Sequence, residues 1–202
     1  MVFARLFGFL HRLIRGQDVL LIQHTKEQWE RQFSSGTWNR LQERQPNTAE
    51  LARLVIDFAH AKGAPTRILD IGCGNGGLAR FLSPEPGIAY MGIDISETAL
   101  VAARAVAPNY TFVVADAESP PQGLGTFDVL VFNEVLYYMN PDLVLPRYRT
   151  YVTPDTRIFI SIVRSWRTPF LLRRIRHFMR VERRFRLGSR CLHWDIATGY
   201  FL

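Results

Sequence analysis

Between residues 67 and 163 the chain alternates short apolar runs with amphipathic stretches. Residues 67–71, 89–93, 110–114, 127–132 and 157–163 read as five strands. The fourth is apolar throughout apart from Asp128, as expected of a strand buried on both faces. Leu78, Ala79, Phe81 and Leu82 fall at helical spacing after the first strand, and Ser96 opens a helix over 99–105 after the second. This alternation predicts an α/β fold: a doubly wound, Rossmann-like parallel sheet with helices on both faces.

The flanks carry different patterns. Phe3, Leu6, Phe7, Leu10, Leu13 and Ile14 lie at helical spacing, with Arg5, Arg12 and Arg15 mostly off that stripe. Such a basic amphipathic helix docks on the protein itself or lies in a membrane interface. Residues 25–42 carry a helical pattern with Trp29, Phe33, Trp38 and Leu41, broken by Ser34-Ser35-Gly36-Thr37. Pro46 and Asn47 mark a turn, and Thr48 is placed to cap a helix through Leu51, Leu54, Val55 and Phe58. After the fifth strand a helix is expected at 169–179. Two strand-like runs follow, 181–187 and 191–200, with Gly188-Ser189 as a hairpin signal. The expected division is 1–24, a basic helix and linker, and 25–202, one domain.

Composition narrows the setting. With 202 residues, 48% hydrophobic and 21% charged, the chain suits one soluble globular domain and has no room for separate cofactor and substrate domains. Cys73 and Cys191 make no disulfide framework and lack metal-ligand spacing, so no metal is expected. No transmembrane-length apolar run and no secretory signal is seen, which points to a cytoplasmic protein, with peripheral membrane contact through residues 1–16 as the variant. The net charge of +7 is local: eleven arginines stand against Glu182 and Asp195 from Arg157 onward. That excess reads either as a solvated arginine face or as a surface for an anionic partner.

The chemistry is concentrated at strand ends. Asp70-Ile71-Gly72-Cys73-Gly74-Asn75-Gly76-Gly77 joins a strand to a helix, where glycine lets the backbone turn and approach a ligand closely. Gly72, Gly74 and Gly77 satisfy the dinucleotide pattern, but an acid directly before the loop would face a pyrophosphate unfavourably. Asp94 ends the second strand, where a carboxylate accepts ribose hydroxyls, and Asp116 ends the third. Three acids at three successive strand ends suit a nucleoside carrying cationic groups and no phosphate.

These stretches, with Gly92-Ile93-Asp94-Ile95-Ser96, Ala115-Asp116-Ala117 and Phe127-Asp128-Val129-Leu130, resemble the successive motifs of class I S-adenosylmethionine (SAM)-dependent methyltransferases. The resemblance covers most of the chain from Trp29. It implies strand order 3-2-1-4-5-7-6 with the seventh strand antiparallel, SAM as cofactor, and Asp70, Gly72, Cys73, Gly74, Gly76, Asp94, Ile95, Asp116, Ala117 and Asn133 around it. Residues 29–38 are similar to the element that closes over cofactor in many relatives, with Gly36 as a hinge. The segment Glu134-Val135-Leu136-Tyr137-Tyr138 is similar to that of nodulation-factor N-methyltransferases and their small-molecule relatives.

That second likeness implies a small-molecule or carbohydrate-type acceptor, methylated on nitrogen or oxygen. Glu134 is then a candidate to hold the nucleophile and Tyr137 to shape the pocket, with helix packing as the plain alternative for the tyrosine. His193 is a candidate general base, although a lone strand histidine is more often structural. The tetrapeptide Asn-Pro-Pro-Tyr or Asp-Pro-Pro-Tyr, used by enzymes that methylate amino groups of DNA bases and glutamine, does not follow the fourth strand. An RNA methyltransferase and a non-catalytic SAM-binding protein remain the alternatives.

Overall fold

A computed structural model describes residues 24–36, 38, 46–188 and 193–202. The amphipathic stretch expected at 3–14 and Cys191 lie outside the described residues. The elements run α1 (Lys26–Ser34), α2 (Pro46–Lys62), β1 (Thr66–Ile71), α3 (Gly77–Leu82), β2 (Ile88–Asp94), α4 (Glu97–Val106), β3 (Thr111–Val114), β4 (Val129–Asn133), α5 (Pro141–Arg147), β5 (Arg157–Val163), α6 (Thr168–Ile175), β6 (Met179–Gly188) and β7 (His193–Phe201). The strands form one sheet in the order β3-β2-β1-β4-β5-β7-β6. Pairings are parallel through β5, and β7 runs antiparallel to both β5 and β6. This is the expected fold and strand order.

Alternation along the central strands builds two cores, one on each face. Ile68, Val129, Val131 and Phe159 face α2, α3 and α4 through Leu51, Val55, Leu78 and Leu100. Leu69, Leu130, Phe132, Ile158 and Ile160 face α5 and α6 through Val144, Leu145, Leu171 and Ile175. The N-termini of α3 and α4 and the loop after β4 therefore meet at one edge of the sheet, the C-terminal ends of the parallel strands.

Local departures have physical causes. The helix α2 starts at Pro46, favoured in a first turn, so Thr48 sits inside it rather than capping it. The helix α6 stops at Ile175 rather than 179, because Met179 pairs with Phe201 in the closing ladder. Thr25 caps α1 in a reciprocal capping box with Gln28. Among the described residues, no helix is long and apolar enough to cross a membrane.

Candidate active site

A cavity of about 690 Å³ opens at this sheet edge. The loop between β1 and α3 forms its floor. Gly72 has φ +71°, and a Cβ there would lie 2.4 Å from Val135 Cγ2, so only glycine lets the two loops cross. Asp70, Gly72, Cys73, Gly74, Asp94, Ile95, Asp116, Ala117 and Asn133 all line the cavity. Gly76 does not. It sits left-handed at the N-cap of α3, where a Cβ would meet Ala103 of α4 at 3.0 Å, so it serves helix packing beneath the loop.

The acids are held in distinct ways. Asp70 is buried and accepts the Tyr90 hydroxyl at 2.6 Å on Oδ2, while Oδ1 has no partner among the described residues. Burial pushes its carboxyl up to about 7, against the Tyr90 hydrogen bond and aided by Asp94. Asp94 accepts the amides of Gly74 and Ser96, each at 2.9 Å. The carboxylate keeps acceptor capacity beyond these backbone bonds. Its carboxyl is raised by burial, with Glu30 adding repulsion. Asp116 accepts the Glu118 amide at 2.8 Å and is exposed at the cavity wall.

Glu134 lines the cavity beyond the end of β4 with φ +58°, an uncommon left-handed conformation for a residue with a side chain. Its Oε1 accepts Ser161 Oγ at 2.7 Å; its Oε2 accepts the Val163 amide at 3.1 Å and Tyr137 Oη at 3.2 Å. Burial pushes this carboxyl up to about 7. Ser161 Oγ in turn accepts Asn47 Nδ2 at 3.1 Å, and Asn133 Nδ2 donates to Thr48 Oγ1 at 3.2 Å. The first turn of α2 is thereby stitched to the ends of β4 and β5.

Tyr137 packs behind Glu134 and does not line the cavity; Tyr138 does. His193 does not reach the site. It is the exposed first residue of β7, opposite Gly188, and β5 separates its strand from β4. Its place on the sheet thus gives no support to a general-base role.

The roof comes from α1. Trp29 meets Tyr138 edge-on at 4.8 Å between centroids, and Phe33 and Trp38 pack beside Trp29 at 6.1 and 5.9 Å. Glu30 fastens this roof: its carboxylate accepts Ser96 Oγ at 2.9 Å and the Glu97 and Thr98 amides at 2.8 and 3.2 Å, at the N-terminus of α4. No local pattern marks Glu30, whose partners lie more than sixty residues away. The described lining includes Asp70, Asp94, Asp116, Glu118 and Glu134 and no lysine or arginine. In a chain of net charge +7 the cavity is acidic.

A family model described as a methyltransferase domain matches residues 68–155. The match falls on the strand–helix core that carries the glycine loop and the strand-end acids, and the strand order is the one that the resemblance to class I SAM-dependent methyltransferases implies. The chain is 29% identical to the ubiquinone biosynthesis O-methyltransferase of Chromobacterium violaceum over 70% of this chain and 63% of that protein. It is 34% identical to the tRNA (carboxymethyluridine(34)-5-O)-methyltransferase of Saccharomyces cerevisiae over 42% of this chain and 29% of that protein. The chain thus spans less than two thirds of these curated relatives. The solved N-methyltransferase NodS of Bradyrhizobium japonicum, in complex with S-adenosyl-L-homocysteine, is similar in fold: TM-score 0.70 at 16% identity, covering 87% of this chain and 97% of that one.

Proposed function

We propose that the protein transfers a methyl group from SAM to nitrogen or oxygen of a small-molecule or carbohydrate-type acceptor. The observation that carries this reading is the acidic cavity, with Asp70 Oδ1 buried and unpartnered beside a loop that admits no Cβ at Gly72. A cationic ligand without phosphate suits those groups, and a dinucleotide does not. In this reading Asp70 and the loop amides hold the amino-acid end of SAM, Asp94 the ribose hydroxyls, and Asp116 with Ala117 and Ile95 the adenine. When bound, SAM supplies a methyl group on a sulfonium, reactive to in-line displacement.

The chain's own residues orient and exclude water. Trp29, Phe33, Trp38 and Tyr138 wall the space opposite the glycine loop and desolvate it. Glu134, with both oxygens engaged, fixes the loop after β4 and presents a carboxyl near neutrality to a nucleophile entering beside Tyr138. An amine or hydroxyl that arrives protonated can yield its proton there. The likeness to NodS and to the ubiquinone-pathway enzyme supports a small-molecule acceptor. A second reading, an RNA acceptor, draws on the yeast tRNA enzyme and the arginine-rich C-terminal part.

The organisation proposed with this function is a basic helix and linker at 1–24 preceding the domain at 25–202, in the cytoplasm, with residues 1–16 available for peripheral membrane contact. Radiolabelled methyl transfer from SAM into fractionated cell extract tests the function. Label in a small-molecule or glycan fraction is expected. Label in RNA or protein alone overturns the acceptor assignment, and no label in any fraction overturns the transfer.

A further inference from the structure

Beyond the cavity, the same sheet edge carries a cationic cluster. Asp195 of β7 is buried, and three arginines converge on it from two other parts of the chain. Arg184 of β6 grips it with Nη2 and Nε at 2.9 and 3.2 Å, Arg164 after β5 approaches to 3.6 Å, and Arg186 of β6 to 3.8 Å. One carboxylate among three guanidiniums leaves two positive charges in excess, on side chains that reach solvent. Two residues after Arg164 stands Trp166, 59% exposed, with the Arg167 guanidinium 5.1 Å from its ring centroid. Phe170, 53% exposed, lies on the outer face of α6, whose inner face is already buried through Leu171, Leu172 and Ile175.

The cluster adjoins the cavity. Arg164 follows Val163, whose amide donates to Glu134 in the cavity lining. We propose that Arg164, Arg184, Arg186, Trp166 and Phe170 form a docking surface for an anionic phospholipid bilayer, set beside the cavity mouth. Guanidinium forks suit headgroup phosphates, and exposed aromatic side chains suit the interfacial zone just beneath them. A solvated arginine face guarding an edge strand would need the charges but not the outward Trp166 and Phe170. The basic amphipathic sequence pattern at 3–15 is of the same chemistry. The docking surface holds whether or not the cavity transfers a methyl group.

The test is co-sedimentation of the full chain with vesicles of phosphatidylcholine, with and without phosphatidylglycerol, at low and moderate salt. Capture only by the anionic vesicles, weakening with salt, is expected. R164A/R186A should lower the partition roughly thirtyfold, since each arginine near an anionic surface contributes about 1 kcal/mol. R164K/R186K should keep most of it, and W166A/F170A should lower it roughly tenfold or more. Thermal melts of each variant matching the parent exclude misfolding as the cause. Absence of capture at low salt, or equal capture of parent and all variants, overturns the proposal. So does retention of the chain by RNA with no retention by anionic vesicles.

Discussion

Asp70 gives the sharpest quantitative test, because its buried carboxyl has one oxygen without a partner among the described residues and costs the folded protein stability once ionised. With that carboxyl pushed up to about 7 by burial, ionising it in the fold costs roughly 4 kcal/mol more than in the unfolded chain. The folded-state value lies above the unfolded one, so the fold binds this proton more tightly. Its stabilising contribution is complete below about pH 4 and is lost as pH rises through about 7. Replacing Asp70 with Asn removes the titration while keeping an acceptor oxygen for Tyr90. Without cofactor, Asp70→Asn should be more stable than the parent near pH 8.5, by at most about 4 kcal/mol, with the gap narrowing as pH falls through 5 and closing only below about pH 4. Urea denaturation across that range measures both. SAM and its demethylated product should bind Asp70→Asn more weakly by calorimetry. Glu134, also held up to about 7, and Asp94, also raised by burial, keep their own shares of the parent's pH dependence, so Asp70→Asn combined with Glu134→Gln should flatten the profile further than Asp70→Asn alone without making it level. A variant less stable than the parent near pH 8.5, or a parent with no loss of stability from about pH 5 to 8.5, would refute the reasoning.

Further outcomes follow from the same geometry. Asp94→Ala should lose roughly 1.5–3 kcal/mol of cofactor binding, the size of a charged hydrogen bond, and unchanged affinity in a folded variant removes Asp94 from the site. Gly72→Ala should destabilise the chain by about 2 kcal/mol or more, because φ +71° and the Val135 contact act together; a melting temperature equal to the parent's contradicts this. Thermal-shift titration should show stabilisation by SAM and its product and none by NAD, and the reverse pattern would overturn the cofactor assignment. His193→Ala should leave turnover unchanged while Glu134→Gln lowers kcat; a large loss in His193→Ala would bring that residue back as a base.

The sequence reveals the strand-end acids of the cavity more fully than its roof and its Glu134 end. Asp70, Gly72, Asp94 and Asp116 each lie within two residues of the end of a strand whose apolar pattern is plain, so position along the chain fixes position in space. The roof and the Glu134 end of the cavity are assembled from distant segments. Glu30 meets Ser96 across 66 residues and Asn47 meets Ser161 across 114, and no spacing rule reports either pair. His193 shows the converse: it reaches the correct edge of the sheet, but lateral strand order keeps it from the cavity. The misplaced start of α2 and end of α6 arise likewise, from a proline accepted in the first helical turn and from a ladder pairing that overrides helical periodicity.

The hydrogen-bonded stitch from Asn47 through Ser161 to Glu134 has a consequence for how the site comes into being. Every residue proposed to hold SAM falls between Asp70 and Asn133, and most lie on neighbouring strands with short connections. The Glu134 end of the cavity is complete only once residue 163 has been synthesised and β5 has closed against β4, because the last partner of Glu134 is the Val163 amide. On a chain emerging from the ribosome, the Glu134 wall of the cavity is therefore a late product, completed after the strands that carry the three acids.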